Sequence, residues 1–162
     1  MRKATLLLLI GATLGGEDPL KPIPQATFAA AGGVMGATRQ KLEFQPIETM
    51  AQLHTALDRA RAAGQPVMLD FTADWCVSCR EMEEYTFPDQ GVIGALQPFM
   101  LLRADVTENN DDDKALLQYF HSFGPPTIAF FDASGRQQES YKLVGFVPAA
   151  QFKTHVEQLA AL

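Results

Sequence analysis

Cysteine is scarce in this chain of 162 residues: it occurs twice, as Cys76 and Cys79, beside one tryptophan, three tyrosines and three histidines. Two cysteines cannot hold together a disulfide-stapled mini-protein, and a chain this long does not need such staples. A bond between them would close so short a loop that it adds little stability through chain entropy. Structural zinc normally takes four ligands, and His54, His121 and His155 show no paired ligand spacing, so no metal is expected. Positive charge is also in short supply, 13 Lys and Arg against 19 Asp and Glu for a net −6. That balance excludes the basic face a nucleic-acid surface requires. The apolar run at 4–14, behind Arg2 and Lys3, falls short of the about 20 residues that span a bilayer.

What is present suffices for a globular domain, because 47% of the residues are hydrophobic and 20% charged. Residues 1–14 read either as a signal-like segment or as the end of a transmembrane helix, and both place the remainder outside the cytoplasm. Residues 15–43, with Pro19, Pro22, Pro24, Gly32, Gly33 and Gly36, read as a flexible linker. The folded domain is expected over 44–162.

Within that domain a strand at 44–47 precedes Thr49-Met50-Ala51-Gln52, a capping box. Met50, Leu53 and Leu57 then recur at helical spacing until Gly64 and Pro66 end the helix. Residues 67–71 are apolar on both faces and predict a central strand. A helix is expected from Cys76 to Tyr85, a short one from Asp89 to Leu96, and a buried strand at 99–104 with Arg103 at its edge. The acidic run 108–113 leads into a helix at 115–120, where negative charge suits the N-terminus. Gly124-Pro125-Pro126 breaks the chain before a strand at 127–131. A turn at 132–135, a strand at 141–144 and a last helix opened by Pro148, carrying Phe152, Val156 and Leu159, complete the order. The pattern implies an α/β fold: a mixed β-sheet flanked by helices on both faces.

The chemistry concentrates in Asp70-Phe71-Thr72-Ala73-Asp74-Trp75-Cys76-Val77-Ser78-Cys79-Arg80. A C-x-x-C pair where a strand passes into a helix is the sequence form of a reversible dithiol/disulfide. The helix N-terminus favours the thiolate of Cys76, which makes Cys76, nearer the surface, the expected nucleophile and Cys79 the resolving thiol. Trp75 would shield the pair, and Arg80 reads as a solvated helix residue. Asp70 is an acid inside a strand apolar on both faces, where desolvation raises a carboxyl pKa. It reads either as a buried proton acceptor for Cys79 or as an acid that reaches solvent or a partner. Glu83 follows Cys79 by four residues and projects from the same helical face.

Strand, W-C-x-x-C, helix and a later proline opening a strand: this pattern resembles thioredoxin-like proteins. The longer matches are Val67-Met68-Leu69-Asp70, Ala73-Asp74-Trp75-Cys76-Val77-Ser78-Cys79, Glu83-Glu84-Tyr85-Thr86-Phe87, Val106-Thr107, Pro126-Thr127-Ile128 and Gly145-Phe146. They resemble the C-terminal periplasmic domain of the DsbD family of thiol:disulfide interchange proteins. The region around 12–22 is similar to the end of that family's last membrane helix and its linker. The resemblance implies a protein-disulfide reductase with no cofactor beyond the Cys76-Cys79 disulfide, on the periplasmic face of a bacterial inner membrane. It implies as partners the membrane-embedded and N-terminal periplasmic domains of that family, and beyond them disulfide isomerases and cytochrome c maturation proteins. The domain itself is expected to be monomeric.

The resemblance also assigns an acid to the positions of Asp70 and Glu83, beside the cysteines, and a cis peptide to Pro126, opposite them. Acids there oppose thiolate formation, which makes the dithiol a better electron donor. Trp75, Pro125 and Pro126 are the expected substrate-binding residues. Pro125 lacks the N–H that normally pairs with a bound strand, so docking is expected to be narrower than in general peptide binders. The alternatives are a stand-alone secreted oxidase or isomerase, and a binding module without redox chemistry.

Overall fold

The computed structural model describes residues 41–161. Its sheet has five strands: β1 (Gln45–Pro46), β2 (Val67–Thr72), β3 (Met100–Asp105), β4 (Thr127–Phe131) and β5 (Leu143–Val144). They lie in the order β1-β3-β2-β4-β5. β1 and β2 both pair with β3 in parallel, while β4 runs antiparallel to β2 and β5 to β4. The sheet is therefore mixed, as expected. Both of its edges are two-residue strands, and Pro46 sits in one of them.

Five α-helices complete the domain: α1 (Met50–Ala62), α2 (Val77–Glu81), α3 (Gln90–Leu96), α4 (Asp111–Tyr119) and α5 (Ala149–Ala160). Side chains fill the caps that the sequence announced. Thr49 accepts from the Gln52 N–H at the start of α1, and Asp89 accepts from Gly91 and Val92 at α3. α4 begins four residues earlier than the sequence suggested, because Asn110 and Asp113 form a reciprocal capping box. Beyond Glu81 the α2 helix continues as a π turn, Met82–Thr86. The last strand is shorter than expected, since Glu139–Tyr141 forms a 3-10 turn.

Two apolar cores sandwich the sheet. One packs Leu53, Phe71, Leu116, Phe120 and Phe131 with both cysteines. The other packs Met68, Met82, Leu96, Ile128, Phe130, Phe152 and Val156. Alternation along β2 sends Leu69 and Phe71 to the first and Met68 to the second, so Asp70 shares the face beneath the π turn. The segment 1–14 and the linker through residue 40 lie outside the described residues. Of that linker Lys41–Glu43 is described, and Leu42 packs against the second core. Among the described residues no helix is long and apolar enough to cross a membrane.

Candidate active site

The site forms where β2 hands over to α2. Cys76 is the N-cap of α2, in extended backbone conformation, and its Sγ accepts the Cys79 N–H at 3.1 Å. Sulfur thus occupies the place that an oxygen fills at the starts of α1, α3 and α4. The two cysteines are joined by a disulfide, S–S 2.04 Å, with Cα atoms 5.3 Å apart. No acidic residue stands in the first turn of α2. A thiolate released at Cys76 would inherit the cap hydrogen bond and the positive end of the helix. One expectation needs correction: each cysteine is 5% exposed, so Cys76 is not nearer the surface in the disulfide. Its place at the helix end, not its exposure, distinguishes it.

The approach to Cys76 is tied down from the neighbouring loop. The Cys76 N–H donates to the Ala73 carbonyl at 3.1 Å. The Asp74 N–H donates to Thr107 Oγ1 at 2.9 Å, and Trp75 Nε1 donates to the Thr107 carbonyl at 3.3 Å. Thr107 is itself fixed by Asp105, whose Oδ1 accepts the Thr107 N–H at 3.0 Å. Arg80 is not merely solvated, because its Nη2 donates to the Asp74 carbonyl at 2.8 Å. Trp75 remains 58% exposed and Val77 69%, so the rim of the site is apolar.

The Pro125–Pro126 peptide is cis. Thr127 follows at once and pairs with Phe71, which places Pro126 at the same end of the sheet as the α2 start. The Pro126 carbonyl accepts the Gly145 N–H at 3.0 Å. Thr127 Oγ1 holds the Gly124 carbonyl at 2.8 Å, and Gly124 has φ 152°, which a side chain would strain. Phe123, Val144 and Phe146 are exposed around this turn.

Asp70 is buried, at 3% exposure. The structure gives Asp70 a partner: Arg103 reaches it from the adjacent strand, where the register sets Asp70 beside Arg103. Arg103 Nε donates to Asp70 Oδ2 at 2.9 Å. Its Nη2 lies 2.8 Å from the same oxygen and 2.5 Å from Glu83 Oε1. Nη2 points its N–H bonds at neither, so that contact is charge against charge rather than a directed hydrogen bond. The Phe44 ring stacks on the guanidinium, 3.8 Å from its centroid, and Phe87 stands 5.8 Å away. Burial pushes the Asp70 carboxyl up to about 6, against the opposing pull of Arg103 charge and hydrogen bond. On its outer side Arg103 borders a groove of about 530 Å³, lined by Leu42, Phe44, Phe87 and Pro88.

The structure therefore brings Cys76, Cys79, Trp75 and Pro126 to one end of the sheet and links Asp70 to Glu83 through Arg103. Arg103, Phe44 and Thr107 were missed by sequence reasoning. Arg103 did leave a signal: it is a charge in the middle of a mostly apolar strand, matched by the charge of Asp70 in the neighbouring one. Among the described residues no group of His, Cys, Asp and Glu could hold a metal ion.

Comparison with known proteins agrees with this geometry. The thioredoxin-like family profile matches residues 48–133. The thiol:disulfide interchange protein DsbD of Ralstonia nicotianae is 46% identical over 144 residues, covering 89% of this chain and 23% of that protein. The DsbD of Salmonella paratyphi A is 42% identical over 156 residues, covering 96% of this chain and 26% of the relative. The chain thus spans about a quarter of the length of these relatives. Among solved structures, the DsbD C-terminal domain of Neisseria meningitidis in its oxidised form superposes with TM-score 0.61 at 37% identity, covering 71% of this chain and 99% of that one. A thioredoxin from Thermus thermophilus, 24% identical with TM-score 0.58, shares the fold, covering 74% of this chain and 88% of that one. By sequence, by fold and by the W-C-x-x-C disulfide at its helix start, this chain belongs to the thioredoxin-like family and, within it, to the DsbD C-terminal domains.

Proposed function

We propose that this domain is a protein-disulfide reductase that relays electrons by dithiol/disulfide exchange. It would receive them from a membrane-embedded domain and pass them to a periplasmic partner domain, and from there towards disulfide isomerases and cytochrome c maturation proteins. The observation that carries this reading is the Cys76–Cys79 disulfide at the α2 N-terminus, in a fold shared with DsbD C-terminal domains. Cys76 as thiolate attacks the partner disulfide, and a mixed disulfide forms. Cys79 then attacks Cys76 Sγ, the internal disulfide closes, and the partner leaves reduced by two electrons. Asp70, basic enough at about 6 and ionised at neutral pH, takes the Cys79 proton.

Donation rather than oxidation follows from charge. Asp70 and Glu83 bring two acids to the site and Arg103 offsets one of them, so the surroundings carry net negative charge when both are ionised. That disfavours a thiolate and makes the dithiol the better reductant. The domain would sit on the periplasmic side of an inner membrane. Partners would dock over Trp75, Pro125 and Pro126, with Pro125 offering a carbonyl but no N–H.

Equilibration of the protein with a thiol redox buffer tests the polarity. A potential more reducing than about −200 mV is expected, and one near −120 mV, the strongly oxidising end of the scale, would overturn it.

A further inference from the structure

Thr86 is fully buried, and valine would have the same shape there without a hydroxyl to desolvate. Its Oγ1 donates instead to the Val147 carbonyl at 2.6 Å, on a loop that belongs to neither the sheet nor a helix. The Val147 N–H in turn donates to Met82 Sδ at 3.3 Å. Both main-chain polar groups of Val147 are therefore held by side chains of the π turn Met82–Thr86. We propose that Thr86 and Met82 are positioning residues for partner docking: they grip the main chain at Val147 and so hold Gly145 and Phe146 in place beside the cis peptide of Pro126. The proposal rests on the reading that partners dock over Pro125 and Pro126.

The loop is fixed from both sides. On one side the Gly145 N–H donates to the Pro126 carbonyl at 3.0 Å, so the chain leaves β5 tied to the cis peptide. On the other side stands the grip on Val147. Gly145 has φ 85°, a conformation that a side chain would strain, and the chain reverses there. Phe146, between the two holds, stays exposed. Pro148 follows and opens α5 with no side-chain cap, so the start of α5 adds no such hold of its own.

The grip comes from the helix that carries the cysteines. Met82 follows Cys79 by three residues, and the π turn closes with the Phe87 N–H donating to the Met82 carbonyl at 2.9 Å. One continuous element thus locates both the sulfurs and the loop that flanks them. Their separation is set before a partner arrives, which spares the complex the cost of ordering the loop. π turns inside helices recur at functional sites, and this one has a task that the turns before it lack. A thioether is a weak acceptor, so the Thr86 hydroxyl is the stronger half of the grip.

The test compares two disulfides that touch different amounts of surface. The small one is 5,5′-dithiobis(2-nitrobenzoate), which meets the sulfurs without covering the loop. The large one is the oxidised N-terminal domain expected as partner, taken from the Ralstonia nicotianae DsbD. With the reduced full chain, Thr86→Val is expected to leave nitrothiobenzoate release within about twofold of wild type. Single-turnover reduction of the domain, followed by acid quench and thiol alkylation, is expected to half-saturate at about tenfold higher domain concentration with its limiting rate kept. Thr86→Ser, which returns the hydroxyl, is expected to recover most of that shift. Met82→Leu removes only the weaker acceptor and is expected to shift half-saturation about threefold. In that variant the Val147 amide is expected to exchange faster with solvent while the β2 amides keep their protection.

Should Thr86→Val fold poorly, Met82→Leu, which keeps the core volume, still decides by the same comparison. Equal slowing with both disulfides, a lower limiting rate at unchanged half-saturation, or a serine variant as weak as the valine one overturns the proposal. So does a domain reaction that neither variant alters. A wild-type protein that reduces the small disulfide but not the domain overturns the relay reading itself.

Discussion

Two helix starts in this domain treat the same electrostatic resource in opposite ways. α4 fills its N-terminus with negative charge: Asn110 caps it, Asp113 closes the box, and Asp111, Asp112 and Asp113 all stand in its first turn. α2 has a sulfur for its cap and no acid in its first turn. A helix start offers unpaired N–H groups and partial positive charge. At α4 that offer is consumed by stability. At α2 it stays open for a charge that appears only when the disulfide is reduced. The acids of this stretch come later, Glu81 in the last turn of α2 and Glu83 and Glu84 in the π turn, away from the helix start.

The harshest way to break the comparison is to make the α2 cap ordinary. Cys76→Ser supplies an oxygen cap of the usual kind. Exchange is expected to vanish, read as reduction of 5,5′-dithiobis(2-nitrobenzoate) by the reduced protein, while thermal unfolding stays close to wild type. A large fall in Tm would mean that the sulfur caps the helix for stability after all.

Next in size is the buried acid. Asp70 is raised from 3.8 to about 6 on folding, so the folded state holds its proton more tightly than the unfolded chain. Its contribution is therefore most favourable below about pH 4 and is lost as pH rises through 6. A rise of about two units corresponds to about 3 kcal/mol. Asp70→Asn is expected to be more stable than wild type at pH 7.5, with the difference shrinking towards pH 4. Denaturant unfolding at the two pH values checks this, and a difference independent of pH would refute it.

Smaller effects come from exchanging the two designs. Val77→Asp places in the exposed first turn of α2 the charge that α4 has. Attack by Cys76 at pH 7 is expected to slow by about three- to tenfold, read as the rate at which the reduced protein releases nitrothiobenzoate from 5,5′-dithiobis(2-nitrobenzoate). Asn110→Ala removes the cap of α4 and is expected to cost about 1 kcal/mol in denaturant unfolding, with the rate of nitrothiobenzoate release unchanged. Kinetics that moved with Asn110 would mean that the two helix starts are coupled.

Legibility in the sequence followed the range of the interactions. The central strands were plain because 67–71 and 127–131 are apolar on both faces, and local signals such as Thr49 and Asp89 marked helix starts. The cysteine pair needed only its spacing. Arg103 could not be paired with Asp70 without the register of a parallel crossover, which no local pattern carries. Phe44 was read as strand, whereas its ring caps the Arg103 guanidinium just ahead of β1. The π turn also escaped notice, because Met82–Thr86 contains neither Gly nor Pro to signal a departure. Asn110 stands inside the acidic run that marks the α4 start, and nothing local singles it out there as the cap.

The two-residue strands at the sheet borders have a consequence for how other chains can approach. A long exposed border presents free N–H and C=O groups to any passing extended segment and invites it to join. Here one border is Gln45–Pro46, whose proline has no N–H to give, and the other ends after Leu143–Val144. Neither can template a sixth strand of useful length. Pairing along either flank of the described sheet is thereby limited to two residues, too short a row for a ribbon of stacked copies.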